Sequence, residues 1–262
     1  MIEQTDAPVV EIHDLTVSYN QNPVLWNVDL TIPAGSLVGI LGPNGAGKST
    51  LVKGIMGLVD FNSGYVKIFD QELETVRKRI SYVPQRESVD WDFPASALDI
   101  VMMGTYSKLG LFRRPGKNER ALAMACLKKV NMAPFADRQI SELSGGQQQR
   151  VFIARSLAQE ADVYFMDEPF AGVDISTEKA IVTLLKEMTA AGKTVVVVHH
   201  DIYSASEYFD WTILLNMHLV ASGPTKKVLT DDLLQKTYGG KLSLLADVGD
   251  LIKKSTIDPL KS

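Results

Sequence analysis

Residues Gly42-Pro43-Asn44-Gly45-Ala46-Gly47-Lys48-Ser49-Thr50 have the types and spacing of a phosphate cradle. The glycines let the backbone curl so that successive N–H groups point inward at anionic oxygens. A helix read from Lys48 onward aims its positive end at the same place. Lys48 adds a full charge for the β- and γ-phosphates of a nucleoside triphosphate, and the Ser49 hydroxyl can ligate Mg²⁺. A glycine-rich turn that binds nothing explains neither Lys48 nor its placement.

Two further constellations complete the chemistry. Val163-Tyr164-Phe165-Met166-Asp167-Glu168 ends an apolar run in two acids, at the end of a strand where open α/β sheets place their ligands. Asp167 is expected in the Mg²⁺ shell, and Glu168, pointing differently, is placed to accept a proton from attacking water. Leu143-Ser144-Gly145-Gly146-Gln147 precedes a helix read over about residues 148–159, giving a second set of glycine amides at a helix N-terminus. One nucleotide hardly needs both anion sites.

This last motif is the signature of the ATP-binding cassette (ABC) ATPases, and with the phosphate loop and Asp167-Glu168 the chain resembles that family from residue 9 to about residue 240. The resemblance implies ATP and Mg²⁺ as cofactors, with residues 42–50 holding the nucleotide. In the family the signature closes over ATP bound to a second ATPase subunit. It thus implies a homodimer sandwiching two nucleotides, with Leu143, Ser144, Gly145, Gly146, Gln147 and Asp174 acting in trans. A chain carrying both halves of the site is consistent with such an isologous dimer. By the same resemblance Tyr19 stacks on adenine, and Gln85 reaches Mg²⁺ or the attacking water and links the core to a helical lobe. Asp174 crosses the dimer interface, although Gly172-Val173 departs from the family's usual Ser-Ala-Leu pattern before it. His200 contacts the γ-phosphate; His199 is second choice because the family pattern is His-Asp. Mg²⁺ is then held around Ser49, Gln85 and Asp167, and catalysis rests on Glu168, His200 and Gln85.

The elements that must position these residues read as an α/β chain. Residues 9–12, 15–19 and 28–32 are strands, and residues 36–41 form a run apolar enough to be buried on both faces. Helical spacing appears over residues 48–58, 97–103 and 119–130, with a basic stretch at residues 112–120 read as a solvated loop. Buried strands follow at residues 163–166 and 194–198, a helix at 177–190, and a closing hairpin from residues 213–215 and 219–221. With the resemblance, the expected fold is a P-loop NTPase of the ABC ATPase type. It has a RecA-like α/β core, N-terminal antiparallel strands and an α-helical subdomain inserted at roughly residues 86–158. Residues 1–240 are expected to form one domain and residues 241–262 a short tail, with residues 242–252 a possible helix.

Composition narrows the setting. In 262 residues, 27 Lys plus Arg against 31 Asp plus Glu give a formal charge of −4, which disfavours a nucleic-acid binder relying on a basic face. Cys126 is the single cysteine and reads as a small buried hydrophobe in a reducing compartment. No apolar run approaches the roughly 20 residues of a membrane span, and residues 1–10 lack the pattern of a secretory signal. A cytoplasmic, acidic, soluble protein is expected, which another chain must bring to any membrane at which it works.

Two classes fit an ATPase of this size: the ATPase subunit of a membrane transporter, or a soluble ABC ATPase such as those of iron–sulfur cluster assembly. The segment after Gln85 discriminates, because in transporter subunits it docks the permease. Trp91, Phe93 and Met102, with Met103, offer the apolar contacts a docking groove uses, although both methionines suit the lobe's own core equally well. Within the family the chain is similar to ATPase subunits of bacterial manganese, zinc or iron(II) importers. The residues that carry this are Val89-Asp90-Trp91-Asp92-Phe93-Pro94, Arg138-Gln139-Ile140-Ser141, Phe170 with Gly172, and Val198-His199-His200-Asp201. The implied partners are an integral membrane permease and, through it, an extracytoplasmic metal-binding lipoprotein. The implied location is the cytoplasmic face of the bacterial inner membrane. Another transported substrate remains an alternative.

Overall fold

The computed structural model describes residues 1–3, 5, 8–20, 22–109 and 114–239. The expected tail at residues 241–262, with its helix, and Phe112 and Arg113 of the basic stretch lie outside the described residues. Two sheets carry the α/β architecture. The first is antiparallel, in the order β2 (Asn22–Pro33), β1 (Pro8–Tyr19), β4 (Ser63–Ile68). The second has six strands: β5 (Ile80–Val83), β6 (Val163–Asp167), β7 (Thr194–Val198), β3 (Leu37–Leu41), β8 (Trp211–Asn216) and β9 (His218–Pro224). All neighbours in it are parallel except the β8–β9 hairpin.

The second sheet divides two hydrophobic cores, which explains the unbroken apolar runs. Along β3, Leu37 and Leu41 join one core while Val38 and Ile40 join the other. Val195 and Val197 alternate with Val196 and Val198 in the same way on β7, as Tyr164 and Met166 do with Phe165 on β6. Each such side chain contributes about 1.5–3 kcal/mol when fully removed from water. Gly39 interrupts the apolar run of β3 for a steric reason: a Cβ there would lie 2.4 Å from the Phe209 ring.

Helices complete both layers: α1 (Lys48–Ile55), the short α2 (Leu73–Val76), α3 (Ala97–Met103), α4 (Lys117–Lys129), α5 (Gly145–Ala158), α6 (Ile175–Ala190), α7 (Ile202–Tyr208), α8 (Thr225–Val228) and α9 (Asp231–Tyr238). Between β5 and β6, α3, α4 and α5 pack against one another as a helical unit. Helix α3 opens with a reciprocal cap. Ser96 Oγ accepts from the Asp99 amide, and Asp99 Oδ2 accepts from the Ser96 amide, both at 3.1 Å.

Three expectations need correction. Residues 9–12 and 15–19 belong to one strand, not two. Its inward positions change parity from Val10 and Ile12 to Leu15 and Val17, and the register shifts between Ile12 and Leu15, where Asp14 has φ of 48°. One extra residue returns the apolar side chains to the same face. The helix read from about residue 148 begins at Gly145, because Ser144 caps it and places both glycines in its first turn. The helix read to residue 58 ends at Ile55.

Candidate functional site

Four parallel neighbours, β5, β6, β7 and β3, deliver their C-terminal ends to one edge of the sheet. Gln85 follows β5, Asp167 and Glu168 end β6, His200 follows β7, and the glycine loop follows β3. Residues 44–50, Val24, Gln85, Glu168 and His200 line a cavity of about 520 Å³ there.

The loop is wrapped tightly. Gly45 and Gly47 have φ of 84° and 90°, and a Cβ on Gly47 would lie 2.5 Å from Leu25 Cδ2 and 2.9 Å from the Val24 carbonyl. Only glycine meets both conditions without strain. The first amides of α1 have no intrahelical acceptor, so they face the cavity as donors. Lys48 is buried and donates to the carbonyls of Gly42 (2.8 Å) and Pro43 (3.0 Å). Burial lowers its pKa, partly offset by the carboxylates of Glu168 and Asp167. The cation is thus already held in place at the cavity.

Ser49 Oγ donates to Asp167 Oδ1 at 2.9 Å, joining residues that are 118 apart in the chain. Asp167 is buried, its pKa is raised chiefly by that burial, and its second oxygen has no partner among the described residues. A hard divalent cation suits this donor set: one hydroxyl, one orphaned carboxylate oxygen, and room for phosphate oxygens and water. No group of three His, Cys, Asp or Glu side chains that could hold a metal occurs among the described residues. A Mg²⁺ ion arriving with the nucleotide fits; an all-protein metal cage does not.

Glu168 adopts the left-handed region (φ 51°), and its amide donates to the Val198 carbonyl at 3.3 Å. A non-glycine residue held there costs about 1–3 kcal/mol, and the Glu168 side chain lines the cavity, which that of Asp167 does not. Gln85 Nε2 makes a long contact of 3.4 Å to Glu168 Oε2 across the cavity. The two neighbouring histidines separate clearly. His200 is exposed on the cavity, whereas His199 is buried, with Nε2 hydrogen-bonded to Ser204 Oγ (2.8 Å). Burial, with the adjacent His200 charge, lowers the His199 pKa to about 4. Neutral at pH 7, it packs edge-on to Phe170.

The signature residues stand elsewhere. Ser144 Oγ accepts from the Gln147 amide (3.4 Å) and Gln147 Oε1 accepts from the Ser144 amide (2.9 Å), so both side chains are engaged in capping α5. Leu143 is buried in the core that the helical unit shares with one face of the six-stranded sheet. None of residues 143–147 lines the cavity of its own chain. Asp174 is the N-cap of α6: it accepts from the amides and hydroxyls of Ser176 and Thr177, and these bonds hold its pKa well below the usual carboxylate range. Tyr19 is exposed at the end of β1 and is not part of the cavity wall.

A second, apolar groove of about 190 Å³ lies on the helical unit, bounded by Trp91, Phe93, Ile100, Met103, Phe152 and Arg155 among others. Phe93 is half-exposed, and Trp91 rests on Phe152 at 4.8 Å between centroids. Met102 does not line this groove; Met103 does, and Met102 packs on the core. The turn of a seven-residue helix presented to the groove is set by how α3 sits on α5.

The family model described as ABC transporter matches residues 25–171, more than half of the chain. The chain belongs to the ABC transporter family. The cassette is 58% identical over 238 residues to a manganese transport system ATP-binding protein of Bacillus subtilis, covering 91% of this chain and 95% of that one. It is 55% identical to a zinc transport system ATP-binding protein of Treponema pallidum, covering 90% and 89%. Among solved structures, an ATP-binding cassette in a dimeric post-hydrolysis state with ADP and Pi superposes with a TM-score of 0.75. It is 32% identical, and the match covers 82% of this chain and 98% of that one. The protein is thus an ABC ATPase that binds nucleotide, and no helix of its described residues is long and apolar enough to cross a membrane.

Sequence reasoning missed Val24 of the cassette's cavity and the Ser204 partner of His199. Neither carries a sequence signal. Val24 reaches the cavity because β2 passes over Gly47, and Ser204 meets His199 because Asp201 caps α7 and turns it back.

Proposed function

We propose that this ABC ATPase works as a homodimer at the cytoplasmic face of a bacterial membrane. There it would hydrolyse MgATP to drive a divalent metal ion, manganese, zinc or iron(II), through a separate permease supplied by an extracytoplasmic metal-binding protein. The observation that carries the catalytic part is the convergence of Lys48, Ser49, the Gln85–Glu168 pair and His200 on one cavity, with the buried Asp167 bonded to Ser49 behind it. The dimer reading is supported by the signature amides standing outside their own chain's cavity, and by the dimeric neighbour. The identities of 58% and 55% to manganese and zinc transport subunits favour metal import over iron–sulfur cluster assembly.

In this reading the α1 amides and Lys48 hold the β- and γ-phosphates, and Tyr19 stacks on the adenine. Ser49 and the free oxygen of Asp167 hold Mg²⁺, with Gln85 nearby; bound there, the ion neutralises charge on the phosphate oxygens. Gln85 orients the attacking water, Glu168 takes its proton, and His200 donates to the γ-phosphate. The partner's Ser144–Gly146 segment closes over the nucleotide, with Asp174 at the seam. Positioning and preorganised charge supply most of the acceleration. The groove around Trp91, Phe93 and Met103 receives the permease.

The test is to isolate the chain's complex from membranes and identify its partners, then assay manganese, zinc and iron(II) uptake by vesicles carrying it. A permease with a metal-binding protein, and ATP-dependent uptake, are expected. Recovery with iron–sulfur assembly proteins, or ATPase activity without uptake of any of these ions, would overturn the metal-import reading.

A further inference from the structure

Arg86 directly follows Gln85 but has no place in the cavity wall. It touches two separate parts of the molecule instead, the first turn of α5 and Trp91. Its Nη2 donates to Gln148 Oε1 at 3.0 Å, and the buried Gln148 side chain donates in turn to the Ile140 carbonyl at 3.0 Å. Its guanidinium is pressed against Gly145, where a Cβ would lie 3.0 Å from Cζ and Nε. Its carbonyl accepts from Trp91 Nε1 at 2.9 Å, and its cation stands 5.7 Å from the indole centroid. One residue therefore joins the segment carrying Gln85, the first turn of α5 and the Trp91 groove.

Two features set this contact apart from ordinary packing. A guanidinium offers a planar fork of donors, and the missing side chain at position 145 lets that fork lie close against the first turn of α5. Arg86 Nε is buried and has no partner among the described residues, so the fork is bonded through Nη2 alone.

We propose that Arg86 is a positioning residue: it sets where the Gly145 and Gly146 amides stand relative to Gln85. The proposal rests on the reading that these amides cover the partner's nucleotide. It predicts a defect in closure and turnover, with nucleotide binding to the single chain intact.

The measurement uses the full chain, with ATP-driven dimerisation followed by light scattering in the Glu168→Gln background and hydrolysis followed in the parent. Arg86→Ala is expected to leave ATP affinity of the single chain unchanged, lower kcat by about tenfold and weaken dimerisation by a similar factor. Arg86→Lys, which keeps the cation but not the fork, should recover only part of this. Adding Gln148→Ala to Arg86→Ala should cost less than Gln148→Ala does alone. If Arg86→Ala does not fold, Arg86→Lys and Gln148→Ala carry the same comparison. Parental kcat and dimerisation in the variants would overturn the proposal, as would a loss of ATP affinity in the single chain. Should the Glu168→Gln chain itself not dimerise with ATP, the sandwich reading fails, a result distinguishable from failure of Arg86 alone.

Discussion

The molecule has two glycine-bearing helix N-termini, and they are built in opposite ways. At α1, Gly45 and Gly47 take left-handed φ values and Gly47 is clamped by Leu25 and Val24. The loop grows out of a strand buried on both faces, and a buried lysine waits inside it. At α5, Gly145 and Gly146 take no positive φ, the N-terminus is capped by its own Ser144 and Gln147, and Ser144 is exposed. Its glycines are small because Arg86 and the Gly172–Val173 loop press close. The first site is a finished cradle. The second is a lid without a floor, the form that the proposed action on another chain's nucleotide calls for.

The comparison can be broken most forcefully at Glu168, which belongs to the finished cradle. Glu168→Gln is expected to lower ATP hydrolysis by about 10²–10⁴ while ATP binding persists; near-parental turnover would remove Glu168 as the base. Next comes a paired glycine test. Gly47→Ala should destabilise the fold by about 3 kcal/mol, combining left-handed strain and overpacking, and abolish ATP binding. Gly146→Ala meets only contacts at 3.3 Å. It should stay within about 1 kcal/mol of the parent in urea unfolding and bind ATP normally, yet hydrolyse it poorly. Equal effects of the two would erase the distinction drawn here.

Lys48→Ala should weaken ATP affinity about 10–100-fold, read by titration, since it removes charge-assisted hydrogen bonds to phosphate. The smallest effect is one of pH. His199 has a folded pKa of about 4 against an ordinary 6.5. Between those values the unfolded chain binds more protons, so stability rises with pH through the window and is lost as acid is added. Its share should be about 1 kcal/mol between pH 7 and pH 5.5, seen as the difference between parent and His199→Gln in urea unfolding. A variant with an unchanged pH profile would show that His199 is not held neutral behind the cavity edge.

Much of the site was legible because its parts are local. A strand, a glycine loop and a helix are contiguous in residues 36–58, and the two acids follow their strand directly. What escaped reading depended on geometry between elements. The parity change across Asp14 looked like a gap because a bulge and a turn share the same short-range residue types. Glycines suggested that α5 started late, although the Ser144–Gln147 cap makes them its first turn. Met102 and Met103 are adjacent and chemically equal, and only the seating of α3 on α5 puts Met103 in the groove.

By itself the sequence determined the kinds of group available: a phosphate loop, a paired acid, a signature helix start, and strands apolar on both faces. Those are consequences of local backbone freedom, charge and hydrophobic period. The tertiary structure decided which of them meet. Ser49 reaches Asp167, and Gln85 reaches Glu168, because parallel neighbours in the order β5-β6-β7-β3 end at one edge. The signature stays away from that edge because its helix belongs to the lobe inserted between β5 and β6. Strand order follows from how buried faces pack across the whole sheet, and no local stretch of residues encodes it.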